Sequence, residues 1–386
     1  MLLTNELPLK IPLDTALPPE LSVLRQDAAH ACEGESKLSY LYKVDVLGQL
    51  ANKLLKYQSE LPRPEIEEIL CVTIIDMAFY YQQVAEDLIQ KAYTDDLKEA
   101  WSNSSLYNKR SIGLLQYLGQ TGLSTNSTHL GLVQTYSKCW ALSQQLSVVM
   151  LSLSKLKSSI CGKGSKDSRY DRLLEFQESD LKDLAKSSLL YSRLCIGCRN
   201  TCSQLSKSSI AASSHLLVKY LEALSFILLS LDRYKNDDCG MAIGLLESAT
   251  SCLSEGLITS KQLKSIQESQ KVKDKLSAKL NDIKKDSASL RDKLKLFNKQ
   301  ENVGKPQLHP FLQSTLQDFI VPLIMLLNYR YVKTNDKVLF QTVIRDHDEL
   351  MRTWPQGKSP DVIGTIWSFD GEALREVSAS SNVEYY

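Results

Sequence analysis

The sequence predicts an all-α fold, a curved tetratricopeptide-like helical solenoid with a small N-terminal β element. Three observations predict it. Apolar residues recur at helical spacing over most of the chain. The prolines gather near the two ends and in connections, which leaves Leu, Lys, Ser, Ala, Gln and Glu to fill the long middle. The breaks between periodic segments are Ser, Asn and Gly clusters, short enough to join the helices of successive hairpins. No repeat is strict enough to set a period, so the solenoid reading rests on helix pairs of unequal length. With 43% hydrophobic and 24% charged residues over 386 positions, neither disorder nor a fibrous class is supported, and the chain is long enough for a substantial core. A single domain over residues 1–386 is expected: an extended or β segment at 1–35, a helical core at 36–331 and a returning tail at 332–386.

Each element has its own signal. Residues 7–14, Leu-Pro-Leu-Lys-Ile-Pro-Leu-Asp, alternate apolar positions with prolines and predict an edge strand. From Ser39, the residues Val44, Leu47, Leu50, Leu54 and Leu55 share a helix face; Leu61-Pro62-Arg63-Pro64 then ends that helix, and Pro64 suits the first turn of the next. The following run, from Ile66 to Leu88, has the wide apolar face of a helix packed on more than one side. Ser/Asn-rich stretches at 102–105 and 121–127 are expected to bracket a shorter helix, with another over 132–156. After a loop at 161–168, helices are expected over 169–205, 210–234 and 240–254. Residues 258–297 predict one long helix whose seam is Leu276, Leu280, Ile283, Leu290, Leu294 and Phe297. Its other faces are basic, with Lys271, Lys273, Lys284 and Lys285 among them. A helix over 311–331 and a strand over 338–343 complete the prediction.

The motifs speak against catalysis. A formal net charge of +1 gives no global field for nucleic acid. The first residues lack a basic region followed by an apolar one, and Leu2 stands where myristoylation needs glycine. Lys219 and Glu222 interrupt the apolar run 216–231, and 319–327 is too short to span, so neither a leader nor a membrane span is expected. Nine cysteines, an odd number lying mostly in helical patterns, fit a reducing cytoplasm. Cys195, Cys198 and Cys202 line one helix face as metal ligands would, but no second ligand pair follows, and they read as small buried hydrophobes. The five histidines form no zinc-protease pair, and no Gly-x-Ser-x-Gly elbow is present. Gly162-Lys163-Gly164-Ser165-Lys166 lacks the leading glycine of a phosphate-binding loop, that position being Lys157. The expectation is a non-enzymatic protein without metal or cofactor that docks a helical peptide.

Four segments carry a resemblance, the first being Leu7–Asp14, which resembles an N-terminal strand. Leu217-Val218-Lys219-Tyr220-Leu221-Glu222-Ala223-Leu224-Ser225 running on to Cys239-Gly240-Met241-Ala242-Ile243-Gly244-Leu245-Leu246-Glu247-Ser248-Ala249 resembles a helical pair of the Bro domain family. In that pair Cys239 stands for the usual tyrosine, and Gly244 for the usual small residue or its neighbour. Asn335-Asp336-Lys337-Val338-Leu339-Phe340-Gln341-Thr342-Val343 resembles the segment that follows the family's long helical hairpin. Leu350 and Trp354-Pro355-Gln356-Gly357-Lys358-Ser359-Pro360 look like the tail of the fungal PalC-type members, and the chain ends soon after, without the coiled-coil and proline-rich regions of ALIX-like members.

The resemblance implies a boomerang-shaped domain whose concave face binds the C-terminal amphipathic helix of an ESCRT-III filament subunit, in ambient alkaline-pH (Rim/Pal) signalling. It implies a cytoplasmic protein, recruited through that partner to endosomal or plasma-membrane foci together with other pH-signalling components. Matched across the 161–168 loop, the partner-binding positions fall on Val148, Leu190 and Leu194, of which Leu190 and Leu194 stand i, i+4 on one helix face. The alternative expectation is a helical scaffold of another endosomal or membrane-surface complex, resting on the seam at 276–297.

Overall fold

The computed structural model describes residues 7–33, 39–61, 63–95, 97–123, 127–161, 178–205, 214–268 and 308–377. The seam at 276–297, the basic face at 271–295 and the loop at 162–168 lie outside the described residues. The fold is all-α, built of consecutive packed helices in the manner of a helical solenoid, with one two-stranded sheet among the described residues. The chain divides into two compact units.

The first unit comprises Thr4–Ser147 and Asp361–Tyr386. It holds α1 (Pro19–Cys32), α2 (Tyr40–Glu60), α3 (Pro64–Asp95), α4 (Lys98–Thr121) and the first part of α5 (Ser127–Cys161). Ser39 caps α2, its hydroxyl accepting from the Tyr42 amide, and Pro64 opens α3, as the sequence predicts. α3 and α4 run antiparallel: the Ser111 hydroxyl donates to the Ala78 carbonyl at 2.6 Å, and Tyr107 stacks on Tyr81. Leu47, Leu50 and Leu54 of α2 join Ile66, Ile69 and Leu70 of α3 among the fully buried side chains.

Four expectations change here. Residues 19–32 form a helix rather than an extended segment, since Pro19 sits in its first turn and Leu21, Ala28, Ala29 and Cys32 bury one face. Residues 7–14 form no strand; side chains bind the backbone of this segment instead, with Asp76 accepting the Leu9 amide and Arg25 donating to the Pro12 carbonyl. The Ser/Asn-rich stretch 102–105 lies inside α4, because the Ser104 hydroxyl donates to the Trp101 carbonyl and leaves the helix intact. The small sheet is C-terminal: β1 (Trp367–Phe369) pairs antiparallel with β2 (Leu374–Glu376). The turn between them is Asp370-Gly371-Glu372-Ala373, with Asp370 accepting from the Glu372 and Ala373 amides and Gly371 at φ +91°. Gly113 admits the backbone of Thr365 against α4, where any Cβ would collide with the Thr365 carbonyl.

The second unit comprises the described residues of Val148–Pro360. It contains the rest of α5, then α6 (Glu178–Leu184), a 3₁₀ turn (Ala185–Ser187), α7 (Ser188–Leu205), α8 (Ser214–Lys235), α9 (Cys239–Ser254) and α10 (Ser260–Glu268). After the undescribed stretch come α11 (Pro310–Thr315) and α12 (Val321–Thr334), joined by the π turn Leu316–Ile320 and followed by a second π turn, Asn335–Leu339. A last short helix, α13, spans His347–Arg352. The segments carrying the helical-pair part of the resemblance are the α8–α9 pair. α8 meets α11 and α12 through buried hydroxyls, Tyr220 with Thr315 at 2.7 Å and Ser230 with Tyr331 at 3.3 Å, and the Tyr234 ring stacks on Tyr331.

Two further differences belong to this unit. The predicted strand at 338–343 is instead the end of a π turn and an irregular segment, because Asn335 and Gln341 satisfy each other's backbone and amide groups locally. The apolar run at 319–327 lies within a helix extending over Pro310–Leu339. That helix and Ser214–Lys235 are long and apolar enough to cross a membrane, yet 72% and 83% of their apolar windows are buried inside the protein, as in core helices.

Candidate functional site

The three positions Val148, Leu190 and Leu194 belong to α5 and α7 in the second unit. α7 packs through a face of small residues. Ser188, Ser192, Cys195, Cys198 and Cys202 are all buried, and the two serines fold their hydroxyls onto the Ala185 and Leu189 carbonyls. Small side chains let a neighbouring helix approach closely, and α8 lies against α7. The opposite face therefore points outward. On it Leu190 is 47% exposed and Leu189 42%, while Leu194 is only 9% exposed.

Val148 is half-buried on α5. The next turn of that helix, Val149, Ser152, Leu153 and Leu156, shares a small cavity with Tyr191 and Cys195 of α7. At ≈ 10 Å³ this cavity is at the lower bound for one water and is no ligand pocket. It does show that the two helices wall one space, with Val148 beside its α5 lining and Leu190 and Leu194 flanking its α7 lining. The structure thus places the three residues on adjoining helices and grades them: Leu190 as a surface group, Val148 as intermediate, Leu194 as nearly core. Leu189 and Tyr191 were not singled out from the sequence, although three successive apolar residues at a helix start exceed what one buried face requires.

The rim is basic. Lys155, two turns beyond Val148, is exposed and has no acidic partner within 4 Å among the described residues. Arg193 is held by the returning tail, its guanidinium donating to the Gln356 carbonyl at 3.1 Å while its own carbonyl accepts the Lys358 amide at 2.8 Å. Lys358 is exposed beside it. Lys182 and Lys186 are paired with Asp237 and Asp183.

The cysteines that line one face of α7 are all in the core. Burial pushes the Cys195 thiol up to about 12 and Cys198 well above the usual thiol range, so neither is a ready thiolate. Among the described residues no group of three His, Cys, Asp or Glu side chains could hold a metal ion. An open groove of ≈ 360 Å³ between α9 and α10 carries one carboxylate, Glu247, already bound by Arg345 at 2.8 Å.

Fold and site define an all-α protein whose distinctive surface is a helix face with exposed leucines and a basic rim. The chain belongs to a family of unknown function (DUF5355), whose pattern matches residues 65–386. It is similar to the protein titled "Uncharacterized protein YGR122W" of Saccharomyces cerevisiae, with 33% identity over 386 aligned residues, covering 95% of this chain and 93% of the yeast protein.

Proposed function

We propose that this protein is a non-enzymatic adaptor that binds the C-terminal amphipathic helix of an ESCRT-III filament subunit in fungal ambient alkaline-pH signalling. In this reading it is a cytoplasmic protein brought to endosomal or plasma-membrane ESCRT-III foci by its partner. The observation that carries the reading is Leu190, a large apolar side chain left 47% exposed on a structured helix at a position the Bro domain resemblance marks for binding. Val148 and Tyr191 extend the apolar strip, and Leu194 supports it from beneath. Lys155, Arg193 and Lys358 around the strip suit a helix with acidic residues beside its apolar anchors. The resemblance of the α8–α9 pair and of residues 335–343 supports the same reading.

The test is a titration of a fluorescent peptide, the C-terminal helix of a Snf-seven-type subunit, into the full chain and into Leu190→Asp. Saturable binding that falls on the order of tenfold or more in the variant is expected, since an anchor residue of this size contributes about 1–3 kcal/mol. Equal binding by both proteins, or none by the parent, would overturn the reading.

A further inference from the structure

Two of the most exposed large apolar side chains among the described residues stand two positions apart: Val338, 66% exposed, and Phe340, 75% exposed. They occupy the π turn after α12 and the residue that closes it. Phe340 has φ +51°, the left-handed region where glycine or asparagine is usual and a bulky side chain is strained.

That backbone is held from several sides. The Phe340 amide donates to the Asn335 carbonyl at 2.8 Å. The buried Asn335 side chain accepts from the Gln341 amide and donates to the Gln341 carbonyl, both at 2.9 Å. The Gln341 side chain then ties the turn to the α8–α9 connection, donating to the Asp237 carbonyl at 2.8 Å and accepting the Gly240 amide at 2.9 Å. Five hydrogen bonds thus hold a strained residue so that its ring faces solvent. A phenylalanine kept out of the core at that cost needs an apolar environment from elsewhere.

The charges nearby indicate which. Lys337 lies in the turn itself, Lys333 one turn earlier on α12, and Lys235 at the end of α8, which adjoins the turn through the Tyr234–Thr334 hydrogen bond at 2.8 Å. None of the three lysines has an acidic partner within 4 Å among the described residues. Of the neighbouring acids, Asp237 is paired with Lys182 and Asp238 with Arg233, which leaves Asp232 and Asp336 against three lysines. An exposed apolar pair with long cationic side chains on the same turn and on the adjoining helix ends matches a bilayer interface, where rings enter the headgroup boundary and lysines reach anionic phosphates.

We infer that Val338 and Phe340 form a membrane-inserting turn, by which the second unit docks directly on a phospholipid surface containing anionic lipid. Two side chains make a shallow, reversible anchor, one that gains from a second attachment. The inference goes beyond helix binding and does not depend on it.

The test is flotation of the full chain with phosphatidylcholine vesicles, with and without phosphatidylserine. Phe340→Asn removes the ring while keeping a residue that accepts the left-handed region, so the turn survives. The parent is expected to float with the anionic vesicles, and Phe340→Asn to lose on the order of tenfold in bound fraction with an unchanged thermal midpoint. Lys333→Gln combined with Lys337→Gln should weaken binding and flatten its salt dependence. A parent that does not float, or a Phe340→Asn variant that floats like the parent, overturns the inference. So does capture of a protein through Phe340 without vesicle binding.

Discussion

The side-chain carboxyl of Asp76 on α3 accepts the backbone amide of Leu9 at 2.8 Å, tying the N-terminal segment to the core across 67 positions of chain. Asp76 is fully buried, and its second oxygen has no hydrogen-bond partner among the described residues. Burial pushes this carboxyl up to about 8, against the lowering effect of the Leu9 bond. Cys32, Tyr80 and Lys43 stand around it.

A folded-state value above the unfolded one means that the native protein holds an extra proton between the two. The stability contribution is therefore complete below the unfolded carboxylate range, declines as pH rises, and is fully lost above about 8. Asp76→Asn keeps an acceptor for Leu9 and cannot ionise. Its melting temperature should gain on the parent's from about pH 5 to about pH 8 and run parallel to it beyond. Melts showing a constant difference across that range would exclude Asp76 as the source.

Leu190 and Leu194 share a helix face but differ in exposure, 47% against 9%, so aspartate should affect them differently. Leu190→Asp is expected to melt within about 0.5 kcal/mol of the parent. Leu194→Asp buries an unpaired carboxylate and should lose about 3–5 kcal/mol or aggregate. Chemical denaturation of the two variants decides it, and equal midpoints would contradict the packing described for α7.

Gly244 on α9 lies against the backbone of Ile344, where any Cβ would meet the Ile344 carbonyl. Gly244→Ala should cost roughly 1–3 kcal/mol by forcing the tail away from α9. Gly119 on α4 is exposed with no atom within 4 Å of an added Cβ, so Gly119→Ala should instead stabilise by about 0.5–1 kcal/mol. Urea midpoints that move in the same direction for both variants would refute the close approach.

The eight cysteines whose side chains are described, Cys32, Cys71, Cys139, Cys195, Cys198, Cys202, Cys239 and Cys252, are all buried. Desolvation raises the Cys139 thiol to about 11 and Cys252 to about 12. Native protein treated with a maleimide near neutral pH should leave all eight unmodified by peptide mass spectrometry, and denaturant should expose them. Rapid native labelling at Cys195 or Cys198 would show that α7 opens.

Helix existence was legible because it follows from local pattern. The spacing of Val44 to Leu55, the Ser39 cap and Pro64 place α2 and the start of α3 within a residue or two, since side-chain periodicity and capping depend on near neighbours in the chain. Where local pattern misled, a distant partner was the cause. Leu7–Asp14 and residues 338–343 read as strands, yet a strand needs another strand, and these segments find Arg25, Asp76 and Asn335 instead. The sheet formed where the turn from Asp370-Gly371 to Ala373 separates Phe369 from Leu374, a turn signal that was readable but weak over three-residue strands.

The candidate site divides the same way. The sequence by itself determined that α7 carries Leu190 and Leu194 on one face, because i, i+4 spacing is a property of the helix. Only the tertiary structure decided that Leu190 is exposed and Leu194 nearly buried, and that Phe340 stands in solvent. Exposure depends on which element packs where, and for α7 that was decided by the small residues Ser188, Ser192 and Cys195, which draw their own face against α8 and leave Leu190 outside.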